Sequence, residues 1–196
     1  MKQILIASNN KGKIREYNYL LNKYGIEGIS TYDYFGKEID VVEDGTTYFE
    51  NAFKKASEIS NLSSDITIIA DDSGFEVEAM HGEPGLYTSR FMKGIEREVI
   101  NQAIIDNCKA SNNFNCRYVT TLVLMYPDKT YSVFEGIVNG KVVTKPIGTN
   151  GFAFDPIFFY EPLRKTFAEI STEEKNRYSA RGVAFKQLEV YLDMMK

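Results

Sequence analysis

The sequence is poor in the residues that hold soft metals or form cross-links. It has one histidine and two cysteines in 196 residues, and no Cys-x-x-Cys. A single histidine excludes a multi-histidine zinc site and leaves at most one histidine-activated nucleophile. That residue, His81, lies in Met80-His81-Gly82-Glu83-Pro84-Gly85 with no cysteine or second histidine nearby, and is read as solvent-facing and inert. Cys108 and Cys116 read as ordinary reduced thiols, one on a helix face and one in a strand. Long hydrophobic runs are missing too: no apolar stretch approaches the ~20 residues needed to span a bilayer. The start, Met1-Lys2-Gln3-Ile4-Leu5-Ile6, enters a strand with no signal-peptide core, so the expected setting is the cytoplasm. Basic excess is also lacking. A formal net charge of −4 argues against nucleic acid or an anionic membrane as the main partner, and a polyanionic ligand would need a local basic site or a metal.

What is present is enough apolar content, 43%, to build one large domain or two lobes sharing a sheet. The chain is organised around Ile66-Thr67-Ile68-Ile69-Ala70-Asp71-Asp72-Ser73-Gly74. The run Ile66 to Ala70 is apolar rather than alternating, which predicts a strand buried on both faces. Adjacent acids repel unless a cation or a proton relieves them. At a strand tip they are either an Mg²⁺ site, since that hard ion prefers oxygen and usually arrives with phosphate, or the punctuation of a solvated turn.

Before this stretch, Gln3 to Ala7 predicts a strand, and Ser8-Asn9-Asn10-Lys11-Gly12-Lys13 opens a helix carrying Ile14, Tyr17, Leu20, Leu21 and Tyr24 at helical spacing. A polar loop at a helix start either binds phosphate through its N–H groups or is simply a turn. With one glycine it is neither a Walker A loop nor a Gly-x-Gly-x-x-Gly fingerprint. Ile26 to Ser30 predicts a second strand, and Thr31 to Asp40 a loop. A helix is expected from Tyr48 to Ser60, where Thr47-Tyr48-Phe49-Glu50 matches a capping box, so Glu50 has a structural role available. Phe75 to Glu78 alternates and predicts a strand continuing past Gly74. Ile95 to Ala110 predicts a helix with Val99, Ile100, Ala103 and Ile104 inward. Cys116 to Tyr126 and Thr130 to Val138 predict strands, and Asn139-Gly140 a hairpin turn leading to Lys141 to Thr144. In Gly151-Phe152-Ala153-Phe154-Asp155-Pro156 the aromatics offer faces to a flat ring. Ser171-Thr172-Glu173-Glu174 caps a short helix bearing Lys175 and Arg177. Ser179-Ala180-Arg181-Gly182 leads into a last helix with Ala184, Leu188, Tyr191, Leu192 and Met195 inward.

Taken in order, these segments resemble the inosine triphosphate pyrophosphatase family from Ile4 to about Leu192. The matching blocks are Ser8 to Lys13 with Glu16; Val42-Glu43-Asp44-Gly45 leading to Phe49-Glu50-Asn51-Ala52 and Lys55; Ala70 to Gly74; Gly85-Leu86-Tyr87-Thr88-Ser89-Arg90; Gly151 to Pro156; and Glu174-Lys175 to Ser179-Ala180-Arg181-Gly182. The resemblance implies an α/β fold: a long twisted mixed β-sheet shared by two lobes with a cleft between them, flanked by helices, in one domain over residues 1–196. It implies a homodimer that uses Mg²⁺ to hydrolyse non-canonical purine nucleoside triphosphates (ITP, dITP, XTP) to the monophosphate and pyrophosphate. By position it makes Asp72 the general base and a metal ligand, with Asp71 beside it, and Glu43 the second acid at the metal, Glu50 being the alternative. It assigns the phosphates to Ser8, Asn9, Asn10, Lys11, Gly12 and Lys13, helped by Ser73 and Lys55. Phe152, Ala153, Phe154 and Asp155 would hold the nucleoside, with Lys175 and Arg181 reading the base. One block departs: the family usually has Ser-His-Arg where this chain has Ser179-Ala180-Arg181. Loss of the imidazole is expected to raise KM for ITP, and Ala180→His to lower it. Two other readings stand beside this one, an aspartyl-phosphate enzyme releasing orthophosphate and a nucleotide-binding module without turnover.

Overall fold

The computed structural model describes residues 3–63, 65–91 and 93–194. Strand β1 (Gln3–Ile6) is followed by helix α1 (Lys11–Asn22), β2 (Glu27–Ser30), α2 (Thr31–Phe35), α3 (Tyr48–Leu62), β3 (Thr67–Val77), β4 (Pro84–Gly85), α4 (Thr88–Phe91) and α5 (Arg97–Ser111). Then come β5 (Asn115–Met125), β6 (Tyr131–Val142), β7 (Phe158–Tyr160), β8 (Lys165–Thr166), α6 (Thr172–Tyr178) and α7 (Ala180–Met194). The strands form one eight-stranded sheet in the order β2-β1-β3-β5-β6-β7-β8, with β4 bonded to β3. The sheet is mixed: β1 runs parallel to β2 and β3, whereas β4 is antiparallel to β3 and β7 to both β6 and β8. The α/β class with a mixed sheet flanked by helices is therefore as expected.

The chain divides into two compact units. One comprises residues up to Asp72, Thr120–Glu135 and the chain from Ala184 onward; the other comprises Ser73–Val119 and Gly136–Val183. In the first unit, Tyr17, Leu20 and Leu21 of α1 pack with Ile4, Ile6, Ile69, Leu122 and Leu124, together with Phe185 and Leu188 of α7. Ala52, Ala56 and Ile59 of α3 pack with Leu5, Ala7, Ile68, Ala70, Val123 and Met125. Successive strand residues point to opposite faces, so Ile69 joins one cluster and Ile68 and Ala70 the other. Helices α1 and α7 thus cover one face of β1 and β3, and α3 covers the other. Each large side chain removed from water here contributes about 1.5–3 kcal/mol before entropy is counted. The second unit is built on Phe75, Phe154, Phe158 and Phe167, with Ile100, Ile104, Ile105 and Cys108 of α5 packed against them.

Four expectations need correction. Strand β3 does not end at Ala70 but runs unbroken through Asp71-Asp72-Ser73-Gly74 to Val77, so the acids lie within a strand rather than at its tip. The segment Thr31 to Asp40 is not all loop. Ser30 caps α2 by accepting from Asp33 N (3.1 Å) and donating to its carboxylate (2.6 Å), and Gly36 ends it in the left-handed region. The buried stripe of α5 is Ile100, Asn101, Ile104, Ile105 and Cys108, leaving Val99 and Ala103 exposed. Asn139-Gly140 makes no turn, because β6 continues through it to Val142. The last residue named for the inward face of α7, Met195, lies outside the described residues.

The hairpin signal fails for a tertiary reason. A methyl group at Gly140 would lie 2.5 Å from Cζ of Phe158 and 2.7 Å from the carbonyl oxygen of Phe159, so glycine is required by close approach of β7 and not by a turn. Gly140→Ala should therefore destabilise the fold by about 1–3 kcal/mol, the usual cost of overpacking. The check is urea unfolding: a lower midpoint at unchanged m is expected.

Candidate active site

In the first unit the acids are met from both faces of β3. Asp71 lies on the Ile69 side, where Lys13 of α1 reaches its Oδ2 at 3.0 Å. Asp72 lies on the side of Ile68 and Ala70, where Nδ2 of Asn51 on α3 donates to its Oδ2 at 2.9 Å. Two carboxylates adjacent in sequence are thus aimed apart, which eases their mutual repulsion. Both are buried, at 1% and 6% exposure. Lys55, one turn after Asn51, donates to Oε1 of Glu43 at 2.5 Å and to the backbone carbonyl of Asp71.

Burial pushes the Asp72 carboxyl above its ordinary pKa. Lys55, Lys13 and the Asn51 bond pull it down and Glu43 adds to the rise, but burial wins. A carboxylate raised in this way is a stronger base than an exposed one. Glu43 is close enough to act electrostatically on Asp72. Glu50, its alternative, is exposed and spends its carboxylate on Thr46, accepting from its N (2.6 Å) and Oγ1 (2.8 Å). The Thr46 bonds hold the Glu50 carboxyl below its usual range. The structural role foreseen for Glu50 is what the geometry favours.

The loop before α1 is tied more tightly than expected. Asn10 caps the helix: its side chain accepts from the N–H groups of Gly12 (2.8 Å) and Lys13 (3.2 Å), so two donors assigned to phosphate already have a partner. Asn9 donates to Ile39 O and Asp40 Oδ1 and accepts from Thr31 Oγ1. Ser8 accepts from Asn10 N at 3.2 Å. The positive charge of this stretch comes from its lysines, Lys11 exposed and Lys13 half-buried. Ser73, half-buried on β3, follows Asp72 directly.

The second unit holds the residues assigned to the nucleoside. Oδ2 of the buried Asp155 accepts from Phe152 N (2.8 Å) and from Nζ of Lys175 (2.7 Å). The same ammonium lies 4.1 Å from the centre of the Phe152 ring, which is 36% exposed. Ala153 takes the left-handed turn conformation that brings Asp155 back to Phe152. Phe154 goes elsewhere: its ring is fully buried and stacks on Phe75 at 4.8 Å, so its side chain belongs to the core and not to a ligand face. Arg181, in the first turn of α7, is 6% exposed. Ala180 is buried in the apolar cluster of this unit, so an imidazole there would have to enter packed core, and the expected gain from Ala180→His does not follow. His81 is exposed, at the end of a turn, as expected.

Asn51 is the site residue that sequence reasoning left without a role. Its signal is weak: a polar residue on a buried helical stripe with Ala52, Ala56, Ile59 and Ser60.

A mixed sheet with a buried acid pair met by two lysines defines an α/β protein equipped to handle an anion beside a carboxylate. The Ham1 family matches residues 4–191. A Staphylococcus aureus (strain MRSA252) protein named dITP/XTP pyrophosphatase is 37% identical over 193 residues, which is 98% of this chain and 97% of that protein. The solved structure of the Staphylococcus aureus Ham1 protein superposes with a TM-score of 0.86 at 33% identity, covering 100% of both chains. A HAM1 protein from Coxiella burnetii gives 0.87 at 30% identity, over 99% of this chain and 100% of that one. The chain belongs to the Ham1 family.

Proposed function

We propose that this protein is a nucleoside triphosphate pyrophosphohydrolase that converts dITP, ITP and XTP to the monophosphate and pyrophosphate. The observation that carries the reading is the buried, base-strengthened Asp72 with Lys13 and Lys55 beside it, in a chain that matches relatives named dITP/XTP pyrophosphatase over nearly its whole length. Water attacking a phosphorus that bears several negative charges needs those charges offset first. Lys13 and Lys55 do this with their ammonium groups, and Lys11 adds a third from the exposed start of α1. Asp72 orients the water and takes its proton at Oδ1, the oxygen not bonded to Asn51, as the anhydride bond joining the α- and β-phosphates breaks.

The donor set fits Mg²⁺. Among the described residues no three His, Cys, Asp or Glu side chains gather as a metal cage, but Mg²⁺ is ordinarily held by one or two carboxylates with substrate phosphate completing the shell. Asp72 and Glu43 would hold it, Glu43 sharing its carboxylate with Lys55. When bound it supplies further charge on the phosphate oxygens and acidifies water. In the second unit, Phe152 offers a ring face to the base, and Arg181 and Lys175 can only donate hydrogen bonds. Donors suit the 6-oxo group of hypoxanthine or xanthine and oppose the 6-amino group of adenine. The homodimer rests on the family resemblance alone.

A product assay with ITP, dITP, XTP, GTP and ATP tests this. Mg²⁺-dependent release of pyrophosphate is expected, abolished by EDTA and restored by Mg²⁺. Orthophosphate as the first product would move the reading to an aspartyl-phosphate mechanism. Tight binding without turnover would leave a binding module.

A further inference from the structure

Asn51 is 1% exposed, and the reaction outlined above gives it no task. Its Oδ1 accepts from the backbone N–H of Gly45 at 2.8 Å, and its Nδ2 donates to Oδ2 of Asp72 at 2.9 Å. A backbone N–H can only donate, so the Gly45 contact decides which end of the amide is oxygen and leaves the nitrogen facing Asp72. The surroundings hold this geometry closed: a methyl group at Gly45 would lie 2.7 Å from Asn51 Oδ1 and 2.7 Å from Glu50 Cβ. Asn51 N donates to Thr47 O in the first turn of α3, so the side chain is mounted on a rigid element. Gly45 in turn follows Glu43 by two residues, and Lys55 holds the Glu43 carboxylate. One buried amide thus ties Asp72 to the segment that carries Glu43.

We infer that Asn51 is a positioning residue for the hydrolysis, setting the rotation of the Asp72 carboxylate and its register against Glu43. The inference rests on Asp72 being the base. A neutral donor suits the task, because it holds the carboxylate as an acceptor without adding another ammonium for the phosphates to pull on. An aspartate of the same shape would keep the Gly45 bond and turn a second carboxylate oxygen onto Asp72.

Steady-state kinetics with ITP and Mg²⁺ on Asn51→Ala, Asn51→Asp, Asp72→Asn and the double variant Asn51→Ala/Asp72→Asn test this, alongside the melting temperature and the affinity for a non-hydrolysable ITP analogue. Loss of a supporting partner of this kind typically costs about 10–100-fold. That loss is expected in kcat for Asn51→Ala, and at least as much for Asn51→Asp. KM and analogue affinity should stay within about threefold, the mark of an interaction used in the transition state. In the Asp72→Asn background, Asn51→Ala should cost no further activity, because the two act as one unit. Asn51→Asp preserves size and the Gly45 bond, and decides the matter if truncation impairs folding. Wild-type kcat in Asn51→Asp, a fall in melting temperature without a fall in kcat, or losses that multiply in the double variant would each overturn the inference. An active Asp72→Asn would instead overturn the base assignment beneath it. An inactive Asp72→Asn beside an active Asn51→Ala would overturn the positioning role alone.

Discussion

Asp72→Asn is expected to lower kcat for ITP by about 10²–10⁴-fold and at the same time to raise the melting temperature at pH 7. The two effects have one cause. Burial raises the Asp72 pKa against the pull of Lys55, Lys13 and Asn51, so the folded state penalises the ionised form that catalysis needs. A carboxyl whose folded pKa lies above its unfolded value of about 3.9 contributes stability that is fully present below that value. The contribution is lost as pH rises through the folded pKa. Once ionised, the wild type carries that loss and the variant does not, while the substituted amide keeps the shape of the carboxylate and can still accept from Asn51. Thermal unfolding at pH 7 and at pH 4 checks the sign: the stabilising effect of Asp72→Asn should shrink at the lower pH. A variant retaining more than about a tenth of the wild-type rate would show that Asp72 is not the base.

Arg181→Ala is expected to collapse the preference for ITP over ATP. A site built to hydrogen-bond a polar substrate group can reject an analogue by roughly 10⁴-fold, because the wrong partner leaves its buried donors unpaired. Arg181 is 6% exposed, so a mismatched guanidinium cannot turn to water for compensation. The measurement is the ratio of kcat/KM for ITP to that for ATP. It should fall by orders of magnitude in Arg181→Ala, through loss of ITP efficiency more than gain of ATP efficiency, and recover only partly in Arg181→Lys, which keeps charge but not the planar donor fork. An unchanged ratio would shift base reading to Lys175.

Local signals accounted well for α1, α3, α5, α6 and α7 and for β1 and β2. Where they failed, the deciding partner was distant in sequence. Asp71-Asp72-Ser73-Gly74 has the composition of a turn, yet stays in β3, where Lys13 meets the Asp71 carboxylate, Asn51 the Asp72 carboxylate and Lys55 the Asp71 carbonyl, from two helices. Asn139-Gly140 carries a hairpin signature that the Phe158 ring overrides. Phe154 looked like a ring face for a ligand because aromatic residues around glycines look alike, whether they stack on a base or, as here, on Phe75. The one miss with a local cue was α2, whose Ser30-Thr31-Tyr32-Asp33 start has the spacing of a cap. The acids and lysines were legible by type and order. Which oxygen meets which donor was not, since that depends on the strand alternation that sends Asp71 and Asp72 to opposite faces.

The division of the chain has a consequence for its synthesis. It passes from one unit to the other at Asp72/Ser73, Val119/Thr120, Glu135/Gly136 and Val183/Ala184. The acid pair and both lysines are encoded by residue 72, but Phe185 and Leu188, which pack against Ile4, Tyr17 and Ile69, leave the ribosome only after residues 73–184. Domains that occupy one continuous stretch can fold from the N-terminus as they are made. Here the part that carries the chemistry must wait for α7, so a message that stops short of it yields a protein with every proposed catalytic residue present and no finished core to hold them.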